Sequence, residues 1–273
     1  MSDLQIEPVT RNIGAVVRGV DLRGPLDDGT FAAIEKALHD HLVLFFRGQD
    51  LTDEQHLAFA GRFGAVNPSP YADGAIETLE DTPDSPPKAD LWHTDMTFLA
   101  QPPDVAVLSM LDTPAAGGDT LWANLYDVHD NLSPLLQELV AGLRQDVHRT
   151  RPQPWTADPT GMSVVYRPDP ELEGAVHPLV RVHPDTGRRA LWLCGQSITG
   201  IVGLRPAESD ALLTLLQAGV HDPNVQVRWR WQQHDVVVWD ERCTNHRAVS
   251  DHWPEHRLVR RCTVGGSTPM GPS

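Results

Sequence analysis

Val225-Gln226-Val227-Arg228-Trp229-Arg230-Trp231 alternates apolar and polar residues without a break, placing Val225, Val227, Trp229 and Trp231 on one face of a β-strand. A polar turn at Gln232 to His234 follows, and Val236-Val237-Val238-Trp239 then reads as a strand buried on both faces. Such strands need covering layers. Upstream, Pro178 to His183 and Arg189 to Cys194 flank Pro184-Asp185-Thr186-Gly187, which is turn chemistry, so this segment reads as a hairpin. Helical spacing appears at Leu212, Leu215, Leu216 and Val220, and again from Glu35 into the apolar strand Leu42 to Phe46. Thr52-Asp53-Glu54-Gln55 has capping-box spacing and leads into Leu57, Phe59, Ala60 and Phe63, a third helix. Many short strands with few helices predict a mainly β protein with flanking helices. The architecture that suits them is an antiparallel jelly roll, the double-stranded β-helix, with helices on one outer face.

At 273 residues and 40% hydrophobic, the chain can bury a large core. No Ser/Gly-rich linker divides it, so residues 1–273 read as a single domain with a long loop insertion around 67–90, rich in Pro, Asp and Gly. Loops of that length usually cover sites. A formal net charge of −15 speaks against nucleic acid or an anionic membrane as partner, since both require a basic face. Cys194, Cys243 and Cys262 are odd in number and lack C-x-x-C spacing, so neither a disulfide framework nor a structural zinc site is expected. No basic segment leads into an apolar run at the N-terminus, and the expectation is a soluble, cytoplasmic protein.

The chemistry-bearing residues lie in four places. In Leu91-Trp92-His93-Thr94-Asp95-Met96-Thr97-Phe98, strand geometry would turn His93 and Asp95 to one side and Thr94 to the other. His246, in a loop beyond the 236–239 strand, would be the second imidazole. Two imidazoles and a carboxylate leave open positions on an octahedral Fe(II), where an oxidant and O2 can bind. In His256 to Val264, strand alternation places Arg257, Val259 and Arg261 on one face and Leu258, Arg260 and Cys262 on the other. Two guanidinium forks in one space could hold a dicarboxylate co-substrate and an anionic substrate, or pair with acidic residues of the surface. Gly117-Gly118-Asp119-Thr120 offers a tight backbone path and a hydroxyl for a bound carboxylate, or is an ordinary turn. With no H-x-H or H-E-x-x-H cluster, a zinc hydrolase is disfavoured.

Trp92 to Phe98, Gly117 to Trp122, the run from Trp239-Asp240-Glu241-Arg242 to His246-Arg247-Ala248, and Arg257 eleven residues past His246, in this order, resemble the taurine dioxygenase (TauD/TfdA-like) family. These are Fe(II)/2-oxoglutarate-dependent oxygenases. The resemblance implies that His93, Asp95 and His246 are the catalytic iron ligands, that Thr120 and Arg257 hold 2-oxoglutarate, and that Arg261 meets the anionic group of the prime substrate. It further implies Fe(II), 2-oxoglutarate and O2 as cofactor and co-substrates, succinate and CO2 as co-products, and a homo-oligomer, dimer or tetramer. The substrate would be a small organic anion, hydroxylated and then cleaved at a C–O or C–S bond when the oxidised carbon bears an aryl ether, sulfate ester or sulfonate. The carboxylate of Asp95 argues against halogenation, for which relatives carry a small residue there.

Taurine itself fits poorly. Its specific members grip the sulfonate with a histidine soon after their F-G motif, whereas Phe63-Gly64-Ala65-Val66 leads here to Asn67-Pro68-Ser69-Pro70-Tyr71, and Ser197 stands where they carry a pocket phenylalanine. The end of the chain is closer to aryloxyalkanoate-cleaving members, with Tyr71, Phe98, Trp155 and Ser197 as pocket candidates. The alternatives are a hydroxylase of an amino acid or natural-product intermediate, and a non-catalytic jelly-roll binding protein, which loss of a ligand or of Arg257 would have favoured.

Overall fold

The structure, a computed structural model, describes residues 4–152 and 166–273; Trp155 lies outside the described residues. Val236–Asp240 is the middle of a seven-stranded sheet ordered Gln5–Pro8, Ala15–Arg18, Val43–Phe46, Val236–Asp240, Val105–Asp112, Arg257–Val264 and Glu77–Asp81. Val236 lies opposite Phe46 on one neighbour and Ser109 on the other. All pairings in this sheet are antiparallel except that of Ala15–Arg18 with Val43–Phe46, a departure from the expected purely antiparallel arrangement. Three-stranded sheets made of Gln226–Trp229, Thr120–Asn124 and Thr244–Ala248, and of Gly174–Pro178, Arg144–His148 and Ile198–Ile201, are accompanied by two strand pairs, the expected hairpin Val180–Val182 with Arg189–Leu191 and Thr150–Pro152 with Tyr166–Pro168.

Alternation along the central strands separates two cores. Val237 and Trp239 share one with Phe45, Leu108, Met110 and Val259, and with Trp122, Val227 and Trp229 of the smaller sheet. Val236 and Val238 join Leu44, Phe46, Val107 and Cys262 in the other, where Ile34, Leu38 and Phe59 arrive from the helices Asp28–His41 and Asp53–Ala60. The 236–239 run is apolar throughout because one face meets a sheet and the other meets helices. Each such side chain contributes roughly 1.5–3 kcal/mol on burial. Phe45 stacks on Trp229 with centroids 4.0 Å apart, tying the sheets together. This is a jelly roll, but its helices are not confined to one outer face as expected: Leu125–Asp130, Pro134–Ala141 and Pro206–Ala218 bury Tyr126, Val140 and Leu216 in the first core. Thr52 and Gln55 form the expected capping box. No helix among the described residues is long and apolar enough to cross a membrane.

The 67–90 segment is not all loop. Glu77–Asp81 forms the edge strand of the large sheet, paired with Arg257–Val264 so that Glu77 faces Arg261 and Asp81 faces Arg257. Its residues, Glu-Thr-Leu-Glu-Asp, have poor strand propensity, and opposite charges across the pairing compensate.

His56 of the second helix is fully buried, with Nε2 3.1 Å from the carbonyl of Val107. Burial pushes it down to about 4, so it is neutral in the folded protein above that pH. An unfolded histidine titrates near 6.5, so this contribution is complete above that pH and is lost as pH falls toward 4, by about 3 kcal/mol. Urea midpoints are expected to drop across this window, with a shallower slope in His56→Leu; an unchanged slope would show that His56 does not carry the effect.

Candidate active site

His246 lies in the strand Thr244–Ala248 and not in a loop, and it forms a single β-bridge with His93. The His93 amide donates to the His246 carbonyl at 3.0 Å and the His246 amide to the His93 carbonyl at 2.8 Å. The chain then turns, Met96 taking φ 47°, so Asp95 comes from a turn and not from a strand as expected. The outcome for Thr94 is the same: its hydroxyl faces away and donates to the Thr244 carbonyl at 2.9 Å.

Asp95 Oδ1 is 3.6 Å from His93 Nε2 and 3.9 Å from His246 Nε2, and all three side chains are buried. His93 Nδ1–H donates to the Leu91 carbonyl at 2.7 Å, which directs Nε2 toward the carboxylate. Ligands at right angles on one ion, with bonds near 2.1 Å, lie about 3 Å apart, so a slight contraction seats a metal. Burial, reinforced by His93, pushes His246 well below the usual histidine range and keeps it a neutral donor. Burial opposes the charge on Asp95, but Arg261, His246 and His93 outweigh it and hold the carboxyl well below its usual range. Behind Asp95 the Glu241 carboxyl accepts its backbone N–H at 3.1 Å and the Trp239 indole N–H at 2.6 Å. Burial and Asp95 push Glu241 well above the usual range, so Asp95 is the charged member of the two. Two neutral imidazoles and one carboxylate are the donor set that suits Fe(II) with open positions.

Gly195, at φ 65°, presses on this site: a Cβ there would lie 2.1 Å from the Trp92 carbonyl oxygen and 2.7 Å from His93 Cα. Gly195→Ala is therefore expected to displace His93, lowering stability by about 1–3 kcal/mol and iron affinity with it. Wild-type unfolding and iron titration curves in this variant would contradict that.

A cavity of about 540 Å³ opens beside the ligands, its wall including His93, Asp95, Arg257, Arg261, Tyr71, Phe98 and Ser197. The sequence thus named seven of the residues on this wall, among them Arg257 and Arg261. Arg257 is buried; its Nε–H donates to the Gly118 carbonyl at 3.2 Å and its nearest carboxylate, Asp81, is 3.7 Å away. The two glycines make this possible, since a Cβ on Gly118 would sit 3.2 Å from Arg257 Cδ and 3.0 Å from Pro114. Thr120 is buried just off the wall, paired across the sheet with the wall residue Ala248; its oxygen accepts from the Trp231 indole at 3.0 Å, which leaves its own proton to donate. Arg261 is more committed than expected: its Nη1 donates to Asp95 Oδ2 at 2.5 Å and its Nη2 to Glu77 Oε2 at 2.7 Å. Burial works against its charge, and Asp95 and Glu77 overcome it.

The sequence reading missed Arg149, which lines the same cavity, lies 4.9 Å from the Tyr71 ring and 5.5 Å from the Phe98 ring, and donates to the Pro70 carbonyl at 3.3 Å. Nothing in His148-Arg149-Thr150-Arg151 marks it. The matched spacing of four between Glu77 and Asp81 and between Arg257 and Arg261 was a readable signal for the edge strand. His39, His183 and Asp240 also converge, but Arg242 bonds to both oxygens of Asp240 and His183 to one, leaving a charge network and no open ligand set.

Comparison with known proteins agrees with this geometry. The profile of the taurine catabolism dioxygenase TauD, TfdA family matches residues 5–263. An alkylsulfatase of Acinetobacter baylyi is 38% identical, covering 98% of this chain and 87% of its own. An alpha-ketoglutarate-dependent sulfate ester dioxygenase of Pseudomonas putida is also 38% identical, covering 98% and 92%. The crystal structure of a taurine dioxygenase from Burkholderia xenovorans superimposes with a TM-score of 0.84 at 35% identity, over 98% of this chain and 93% of that one. With its jelly roll, its His-Asp-His cluster and a match along nearly its whole length, the chain belongs to the taurine catabolism dioxygenase TauD, TfdA family.

Proposed function

We propose that His93, Asp95 and His246 hold Fe(II), that Arg257 and Thr120 receive the far carboxylate of 2-oxoglutarate, and that residues 1–273 act as one dioxygenase domain. The chain is an Fe(II)- and 2-oxoglutarate-dependent dioxygenase. With O2, these groups supply the oxidation of a substrate C–H to C–OH coupled to conversion of 2-oxoglutarate into succinate and CO2. The observation that carries the assignment is the convergence of the three ligand atoms on one another beside a cavity whose wall holds His93, Asp95 and the buried Arg257. Burial lowers the tendency of Arg257 to stay charged, so a carboxylate arriving from the cavity relieves a standing cost. The Gly118 carbonyl fixes the direction of its fork.

The prime substrate is a small organic anion of the sulfate ester, sulfonate or aryloxyalkanoate type, the classes for which relatives are named. Its charged end meets Arg261 together with Arg149. Arg261 already serves Asp95 and Glu77, whereas no carboxylate among the described residues pairs with Arg149, whose neighbours at the cavity are the aromatic faces of Tyr71 and Phe98. Three buried, unpaired cysteines suit the cytoplasm.

Screening sulfonates, alkyl sulfates, aryloxyalkanoates and amino acids for substrate-dependent succinate release tests the class. Because Arg261 bonds a metal ligand, its removal perturbs iron as well, and Arg149→Gln is the cleaner variant. Arg149→Gln is expected to raise KM for the responding anion about tenfold, about 1.4 kcal/mol, with 2-oxoglutarate affinity unchanged. An unchanged KM would assign the anion to Arg261 alone.

A further inference from the structure

A second cavity, of about 250 Å³, lies on the far side of the strand pair that carries the iron ligands. In Thr244–Ala248 successive side chains alternate, so His246 faces the sandwich interior and Arg247 faces the opposite way, into this second space. Trp92, the neighbour of His93, lines it as well, with Gln196, Gln217, His221 and Asn245. In a chain of net charge −15 no carboxylate belongs to this wall. The Arg247 side chain makes no ion pair or hydrogen bond among the described residues, and its Nε is buried without a partner. A desolvated guanidinium donor without an acceptor is costly, and a planar oxyanion satisfies it with two parallel bonds.

We propose that this cavity is a second ligand site that binds a small organic carboxylate through Arg247, with His221 and the side-chain amides of Gln196 and Gln217 as further polar partners. The choice of a carboxylate over a tetrahedral oxyanion follows from the single fork and from the apolar part of the wall, Leu91, Trp92, Leu193 and Val220, which suits a carbon skeleton. The site also has a path to the active site. Gln196 lines both cavities, and the turn Gly195–Ser197 that carries it packs on the backbone of Trp92 and His93. An occupant of the second cavity therefore touches residues adjacent to both histidine ligands without entering the iron site.

Calorimetric titration of the protein loaded with Mn(II) and the inert analogue N-oxalylglycine, which together take the metal and 2-oxoglutarate positions, tests this with glutarate as probe, and Arg149→Gln controls for binding at the prime-substrate position. One equivalent is expected to bind with Kd below about 1 mM, Arg247→Gln is expected to weaken it at least tenfold, and Arg149→Gln is expected to leave it unchanged. Retention of N-oxalylglycine binding by Arg247→Gln shows that the variant is folded. Absence of glutarate binding to the wild type, equal binding by Arg247→Gln, or a signal lost in Arg257→Gln instead would overturn the proposal, the last by placing the probe in the active site. Binding of sulfate as tightly as glutarate would also overturn it, since the cavity would then be a site for inorganic oxyanions.

Discussion

Asp95→Ala is expected to abolish turnover while the protein stays folded, and His93→Ala and His246→Ala are expected to do the same. Losing a residue that merely orients a metal ligand typically costs 10–100-fold, and losing the ligand itself should exceed that. The fold survives for a local reason. Asp95 lies in a turn outside the ladders of the large sheet, Arg261 keeps Glu77 as a partner after the truncation, and Glu241 is relieved of a repulsive neighbour. Near-UV circular dichroism and the urea midpoint should stay close to wild type while succinate release and bound iron vanish together. Wild-type turnover in any of the three, after removal and readdition of metal, would refute the ligand assignment.

Arg257→Ala is expected to raise the 2-oxoglutarate concentration needed for half-maximal succinate release by roughly 30-fold or more. Truncating one side of a buried charge pair typically costs about 2–5 kcal/mol. The enclosure of Arg257 places it in this class: its surroundings are the Gly118 carbonyl and Asp81, with little water to screen an incoming carboxylate. Arg257→Lys should recover only part of the loss, because an ammonium cannot reproduce the fork. The prime-substrate KM, measured at saturating 2-oxoglutarate, should change far less than the 2-oxoglutarate requirement. An unchanged requirement would move the clamp to another cation on the cavity wall, with Arg149 the first to examine.

Much of this was readable from the chain because a strand with one buried face keeps a period-2 pattern and a strand with two buried faces keeps an unbroken apolar run. Val236 to Trp239 is strand as read, whereas of Val225 to Trp231 only Gln226–Trp229 is strand, Val225 closing a 3-10 turn; the alternation that put Arg257 and Arg261 on one side holds in the structure. Local geometry was less legible than its consequence. His93 and Asp95 converge as strand spacing suggested, yet by a bridge followed by a turn, since nothing in His-Thr-Asp-Met announces a left-handed Met96. Glu77–Asp81 was hidden because its stability comes from charges on a partner strand some 180 residues away, which a local propensity argument does not sample. Arg149 was hidden for a related reason: only the fold brings it to the rings of Tyr71 and Phe98. The pairing of Arg261 with Asp95 links the arginine side of the cavity directly to the His-Asp-His cluster, a coupling that spacing alone could not reveal.

The most direct test is an anaerobic titration of Fe(II) and 2-oxoglutarate into the metal-free protein, followed by visible absorption. One Fe(II) per chain is expected, with a charge-transfer band that appears only when 2-oxoglutarate is added, is absent from His246→Ala at any concentration, and in Arg257→Ala needs far more 2-oxoglutarate to develop. A wild-type protein that binds iron without such a band, or a His246→Ala protein that shows the band undiminished, would contradict the assignment of this cavity as the iron and 2-oxoglutarate site.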